Sequence, residues 1–195
     1  MIFQRSPNVP QLQNYRDYRD PYLRPDFRHR CAYCLTHEFY FLGGEGGQID
    51  HHRPLNPPVA LGIDFSNLKH VYTNLYWSCS TCNNSKGNRW PTEAEYAVGE
   101  CLLDPCLEDH DDHWDSYPDG NLVSKSATGT YTIRGIRLNR NRLIQFRRFL
   151  FESQRKIREI EEILASADLS ETEQAALAGQ HHALLDFLEP PVFAL

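Results

Sequence analysis

Cys79-Ser80-Thr81-Cys82-Asn83-Asn84-Ser85-Lys86-Gly87-Asn88-Arg89-Trp90 is the stretch on which the fold turns. Two cysteines two residues apart can grip one metal ion, with Asn83 and Lys86 at fixed places beside it. A structural zinc takes four ligands in a tetrahedron, so this pair is half a site. Cys31-Ala32-Tyr33-Cys34 is the other half. Four thiolates leave no open coordination position. A Zn2+ held by Cys31, Cys34, Cys79 and Cys82 is therefore expected to be structural.

Between Cys34 and Cys79 lie 44 residues, too many for a simple zinc ribbon, so the insert should carry structure of its own. Gly43 to Gly47 reads as a turn-rich break. Ile49 reads as strand and Pro54 as its stop, within Gln48-Ile49-Asp50-His51-His52-Arg53-Pro54. Asn74-Leu75-Tyr76-Trp77 leads into the second cysteine pair, and a short helix is expected to open near Asn83 and close near Gly87. Zinc closing this loop brings Asp50 and His51 near Asn83. Asp50 and the Asn83 side-chain carbonyl offer oxygen atoms of the kind Mg2+ takes. The neutral imidazole of His51 can take a proton from water. His52 is a rival base, disfavoured by its spacing to Pro54.

Asp50-His51-x-x-Pro54, then Asn74-Leu75, then Cys79-x-x-Cys82-Asn83-x-x-Lys86-Gly87 resembles the HNH nuclease motif in its zinc-stapled form, over residues 31 to 91. The resemblance implies an α+β chain with a treble-clef-like ββα-metal core. By it His51 is the general base, Asp50 and Asn83 hold the catalytic ion, and Asn74 fixes the loop or the orientation of His51. Many members of the family carry His where this chain has Asn83. Asn favours a hard ion, Mg2+ or Mn2+. His51-x-Arg53-Pro54, Trp90-Pro91 and Leu103-Asp104-Pro105-Cys106 look further like the small HNH proteins of Septu- and retron-type anti-phage systems. That likeness implies DNA as substrate and an ATPase as partner.

The net charge of -6 argues weakly against a nucleic-acid partner, because it is unevenly placed. Ten acids and no Lys or Arg lie between Pro91 and Asp119, leaving 16 acids against 20 basic residues elsewhere. Local field matters more than total charge for binding a polyanion. Lys86, Arg53 and Arg89 are candidate phosphate contacts. Residues 1 to 30 interleave Tyr and Phe with Arg, which fits an arm on phosphates or a segment docking its aromatics on the domain. Residues 31–92 are expected to form the core domain, 93–135 an acidic segment with short strands, and 136–195 a helical hairpin. The strand-like stretches are Leu102 to Asp104, and Asn121 to Ser124 paired with Thr130 to Ile133. Asn139 or Asn141 is the expected cap of the first long helix, and Ser170-x-x-Glu173 is a capping box for the second. Leu177, Leu184, Leu185 and Leu188 are read as its inner face, and Pro190 as its stop. A second metal site at Cys101, Cys106, His110 and His113 is a minor alternative.

No apolar run is long enough to cross a membrane, and the N-terminus lacks the apolar core of a signal peptide. The chain is therefore expected to be cytoplasmic, with reduced cysteines. A zinc-stabilised module that binds nucleic acid or protein without cutting is the alternative from another class.

Overall fold

A computed structural model describes residues 1–41, 46–166 and 169–188. Its regular elements are α1 (Arg24–Asp26), β1 (Gly47–His51), β2 (Leu75–Cys79), α2 (Ser80–Lys86), α3 (Glu93–Ala97), α4 (His110–His113), β3 (Trp114–Ser116), β4 (Leu122–Ser124), α5 (Ala127–Ile136), α6 (Asn141–Ser166) and α7 (Glu171–Leu188). Among the described residues the chain is a mixture of helices and two small sheets, an α+β arrangement. It divides into two compact units. One comprises 1–115 with 122–139, the other 116–121 with 140–195. No helix among the described residues is long and apolar enough to cross a membrane.

In the first unit β1 and β2 run antiparallel, with Asp50 opposite Tyr76, His51 opposite Leu75 and Gly47 opposite Cys79. Every residue of β2 is buried. That is why Leu75-Tyr76-Trp77 reads as a continuous apolar run rather than an alternating one. A Cβ at Gly47 would stand 2.1 Å from the Trp77 ring, so only glycine admits the indole there. The chain passes directly from β2 into α2, and Gly87, at φ 53°, ends that helix.

The core is completed from the N-terminus. Phe3, Tyr18, Leu23 and Phe27 are buried against Ala32, Leu75, Tyr76 and Trp77. Of the two readings of the arm, docking of its aromatics is the one this burial fits. Arg24 is buried too, and its guanidinium donates to Glu38, which also accepts from Trp77 Nε1 at 3.0 Å. A buried guanidinium with a carboxylate partner is tolerable; either one alone is not.

The acidic stretch departs from expectation in two places. Leu102 and Leu103 are buried in irregular chain, not in a strand, and the Leu103 amide donates to Thr132 Oγ1 at 2.9 Å. Thr130 to Ile133 is helix, inside α5, and β4 pairs with β3 instead. β-Branched composition suggested a strand. The Ser126 hydroxyl decides otherwise, accepting from the Gly129 amide as an N-cap. Thr128, Thr132 and Ile136, four residues apart, form the buried face. Asn139 clamps β4 through both backbone groups of Leu122, at 2.9 and 2.8 Å.

In the second unit α6 and α7 pack together. The Phe149 and Phe187 rings meet edge-on at 4.7 Å, and His181 reaches Glu161 at 3.0 Å. Ser170 and Glu173 form the capping box of α7. No described side chain of α7 is fully buried, and Leu185 is exposed, so the leucines read as its inner face are only half-covered. Arg148–Glu152 and Arg155–Glu159 are exposed pairs along α6, as on a solvated face. The glycine-rich break at 43–45, the joining residues 167–168 and Pro190 lie outside the described residues.

Candidate metal centre and active-site cleft

The four sulfur atoms of Cys31, Cys34, Cys79 and Cys82 lie within 4.8 Å of one another, with Cys34 and Cys79 at 4.0 Å. A tetrahedron of ~2.3 Å zinc–sulfur bonds requires sulfurs about 3.8 Å apart. The donor set and its spacing fit zinc. Two local devices assemble it. Cys79 ends β2 and caps α2, its Sγ accepting from the Cys82 amide at 3.4 Å. The Cys31–Cys34 turn is tied to β2 by the Ala32 amide, which donates to the Trp77 carbonyl at 2.8 Å.

Beside this centre Asp50, His51 and Asn83 line one cleft of about 380 Å³. Asp50 and His51 come from the end of β1, Asn83 from the first turns of α2. His51 Nε2 lies 3.0 Å from the Lys69 carbonyl. It must therefore carry the proton and donate, which leaves Nδ1 as the acceptor. Burial lowers the imidazole's affinity for a second proton below the usual histidine value, outweighing the opposite pulls of the Lys69 carbonyl and Asp50. Asn83 donates from Nδ2 to Gln48 Oε1 at 2.7 Å, so its Oδ1 is the atom left for a ligand.

Asp50 is buried and held from two sides. Its Oδ1 accepts from Lys86 Nζ at 2.8 Å and its Oδ2 from the Tyr33 hydroxyl. Burial, reinforced by Asp50 itself, raises the Tyr33 phenol well above its usual range and keeps it protonated as a donor. A carboxylate has about four lone-pair sites, so each oxygen retains one. These oxygens and Asn83 Oδ1 are atoms of the class that hard divalent ions take as ligands. Asn74 does not touch the cleft. Its amide clamps the Arg53 backbone, accepting from the N–H at 2.8 Å and donating to the carbonyl at 3.1 Å. Its carbonyl also accepts from the His52 amide at 2.9 Å. It positions the loop after His51.

Lys86 has to be corrected as a phosphate contact. It is 2% exposed, and its ammonium donates inward to Asp50 and to the His51 carbonyl at 2.7 Å. Arg53 and Arg89 are exposed but stand apart from the cleft. Arg53 lies over the Phe65 and Trp90 rings, and Arg89 packs along Gly135 of α5. His52 is buried, stacked on Tyr76 at 4.8 Å, and burial pushes its pKa down to about 4. It is a neutral core group. Among the described residues the four cysteines are the only cluster of His, Cys, Asp and Glu placed to hold a metal. His110 spends its nitrogens on the Met1 and Ala32 carbonyls, and His113 on Ser126 and Glu108. The contacts of Tyr33, Gln48 and Lys69 arise across the loop and leave no spacing signal in the sequence.

Among curated proteins the chain is similar to the Septu protein PtuA of Bacillus mycoides (strain KBAB4), with 26% identity over 145 residues. The match covers 66% of this chain and 20% of that protein, so the chain spans about a fifth of its relative. No family model and no solved structure matches. The likeness is distant and partial. Together with the four-cysteine cluster it agrees with the Septu side of the resemblance.

Proposed function

We propose that the chain is a metal-dependent HNH endonuclease that hydrolyses DNA phosphodiesters in a Septu-type anti-phage system, with an ATPase as partner. One observation carries the reading: Asp50, His51 and Asn83, up to 33 residues apart in sequence, line the same cleft beside the cysteine cluster. His51, protonated at Nε2 and open at Nδ1, takes the proton of the attacking water. The Lys69 carbonyl holds its tautomer and Asn74 holds the following loop. Asp50 and Asn83 would hold Mg2+ or Mn2+, which when bound offsets charge on the phosphate and the leaving oxygen. Zn2+ on the four thiolates would keep α2, and with it Asn83, against β1. Supercoiled plasmid is expected to be nicked or linearised with Mg2+ or Mn2+ and left intact with a chelator.

The Lys86–Asp50 ion pair favours a second reading, a zinc-stabilised module that binds without cutting, because a lysine already offsets the carboxylate charge. Lys86→Met separates the two. Removing one partner of a buried pair costs about 3–5 kcal/mol, so the melting temperature should fall by several degrees. If Asp50 is an ion ligand, millimolar Mg2+ restores more stability to this variant than to the parent. Equal response of both proteins in thermal unfolding favours the binding module.

A further inference from the structure

A second cleft, of about 530 Å³, adjoins the first. Tyr15, Arg16, Arg19, Gln48 and Trp77 line it, and it meets the Asp50–His51 cleft at Ile49 and Asn83. We infer that this trough seats the nucleic-acid strand running away from the phosphate at His51, with Arg16 and Arg19 as its phosphate contacts. The inference rests on the nuclease reading for what happens at His51, and on its own geometry for where the strand lies.

The charges in the trough are available. Arg16 is exposed and has no carboxylate partner among the described residues. Arg19 lies over the Trp77 ring at 5.5 Å, and its Nε is buried without a hydrogen bond. The one acid in the lining, Asp20, stands 3.5 Å from that Nε but bonds to Arg24 at 3.0 Å. The lining thus carries two guanidiniums against one carboxylate, which Arg19 shares with Arg24, leaving a net positive wall. Lys86, the cation that sequence spacing places nearest the chemistry, is turned inward and cannot serve.

The wall is also built in advance. The Asn14 side chain caps the turn by accepting from the Arg16 amide at 3.1 Å, while Tyr18 and Leu23 anchor the segment in the core. The Tyr15 ring stands edge-on to His51 at 5.1 Å and to His70 at 6.1 Å. The arm therefore brings its arginines to the trough at little ordering cost and supports the face of His51. A nucleic-acid strand carries a phosphate about every 3.4 Å of axis. A strand with one phosphate at His51 must present its neighbours along the adjoining trough, and fork-shaped guanidiniums suit those oxygens.

The test is fluorescence anisotropy of labelled single-stranded and duplex oligonucleotides, without added divalent ion. It compares the parent, R16Q, R16Q/R19Q, and R155Q, an exposed arginine of α6, as a control outside both clefts. The double variant is expected to bind at least ten-fold more weakly. Its log affinity against log salt slope should be shallower by about 1.4 to 1.8, or 0.7 to 0.9 for each lost phosphate contact. R16Q removes an exposed group and tests the site where folding is not in question; zinc content and melting temperature check the double variant. Whichever oligonucleotide shows the loss is the form the trough takes. Unchanged binding by R16Q/R19Q, an equal loss in R155Q, or no binding of either oligonucleotide by the parent overturns the inference. Failure of the nuclease reading looks different: cleavage persists in His51→Ala while the binding difference between parent and R16Q/R19Q remains.

Discussion

Cys79→Ser is expected to lose its metal and its fold together. Cys79 is placed to supply one of four thiolates and also caps α2 through the Cys82 amide. Zinc binding is worth roughly 10–16 kcal/mol in small zinc domains, against a total stability of about 5–15 kcal/mol for a typical domain. Losing even half of the metal's contribution is enough to unfold such a unit. The loop it closes is also held by the β1–β2 ladder, the Asn74 clamp and the Lys86–Asp50 pair, but the cysteine cluster is what ties its two ends together. Elemental analysis should find one zinc per chain in the parent and none in the variant, which should be insoluble or melt far lower. A soluble Cys79→Ser protein with unchanged zinc and melting temperature removes the four-thiolate site.

His51→Ala is the second large effect, and it should be confined to chemistry. A positioned general base contributes about 10²–10⁴-fold, so plasmid cleavage should drop by at least that range. Zinc content should not change, because His51 is half-buried at the cleft and touches no cysteine. The pH profile supplies the sign. Burial lowers the His51 pKa below the ordinary 6.5, so the neutral, proton-accepting form persists to lower pH. In the parent the acid limb of cleavage should have its midpoint below pH 6.5. Any residual cleavage in the variant should lack that limb. Cleavage at the parental rate would falsify the role.

Much of the candidate site was legible because its signals are local. Metal ligands at Cys-x2-Cys spacing must sit on one tight turn, and adjacent Asp50-His51 before Pro54 must end a strand together. What could not be read is the direction in which a side chain points once the loop closes. Lys86 follows Asn83 on α2 and, by spacing, is a cation beside the chemistry. Only the pairing of β1 with β2 puts Asp50 beneath it and turns the ammonium inward. Arg16 and Arg19 sat in a segment readable as a loose arm or a docked one. Burial of Tyr18, Leu23 and Phe27 against β2 brings them to the trough. Thr130 to Ile133 misled for the same reason, since a cap at Ser126 and a four-residue buried spacing override β-branched propensity.

By itself the sequence determined the donor chemistry: four thiols in two tight pairs, an Asp-His pair, and an Asn one residue after a cysteine. Bond lengths and coordination number limit what such spacings can do. The tertiary structure alone decided which charges face the cleft and which are spent inside. A buried ammonium must find a carboxylate across the fold, and an exposed guanidinium need not. That difference of desolvation makes Lys86 a partner of Asp50 and leaves Arg16 at the surface.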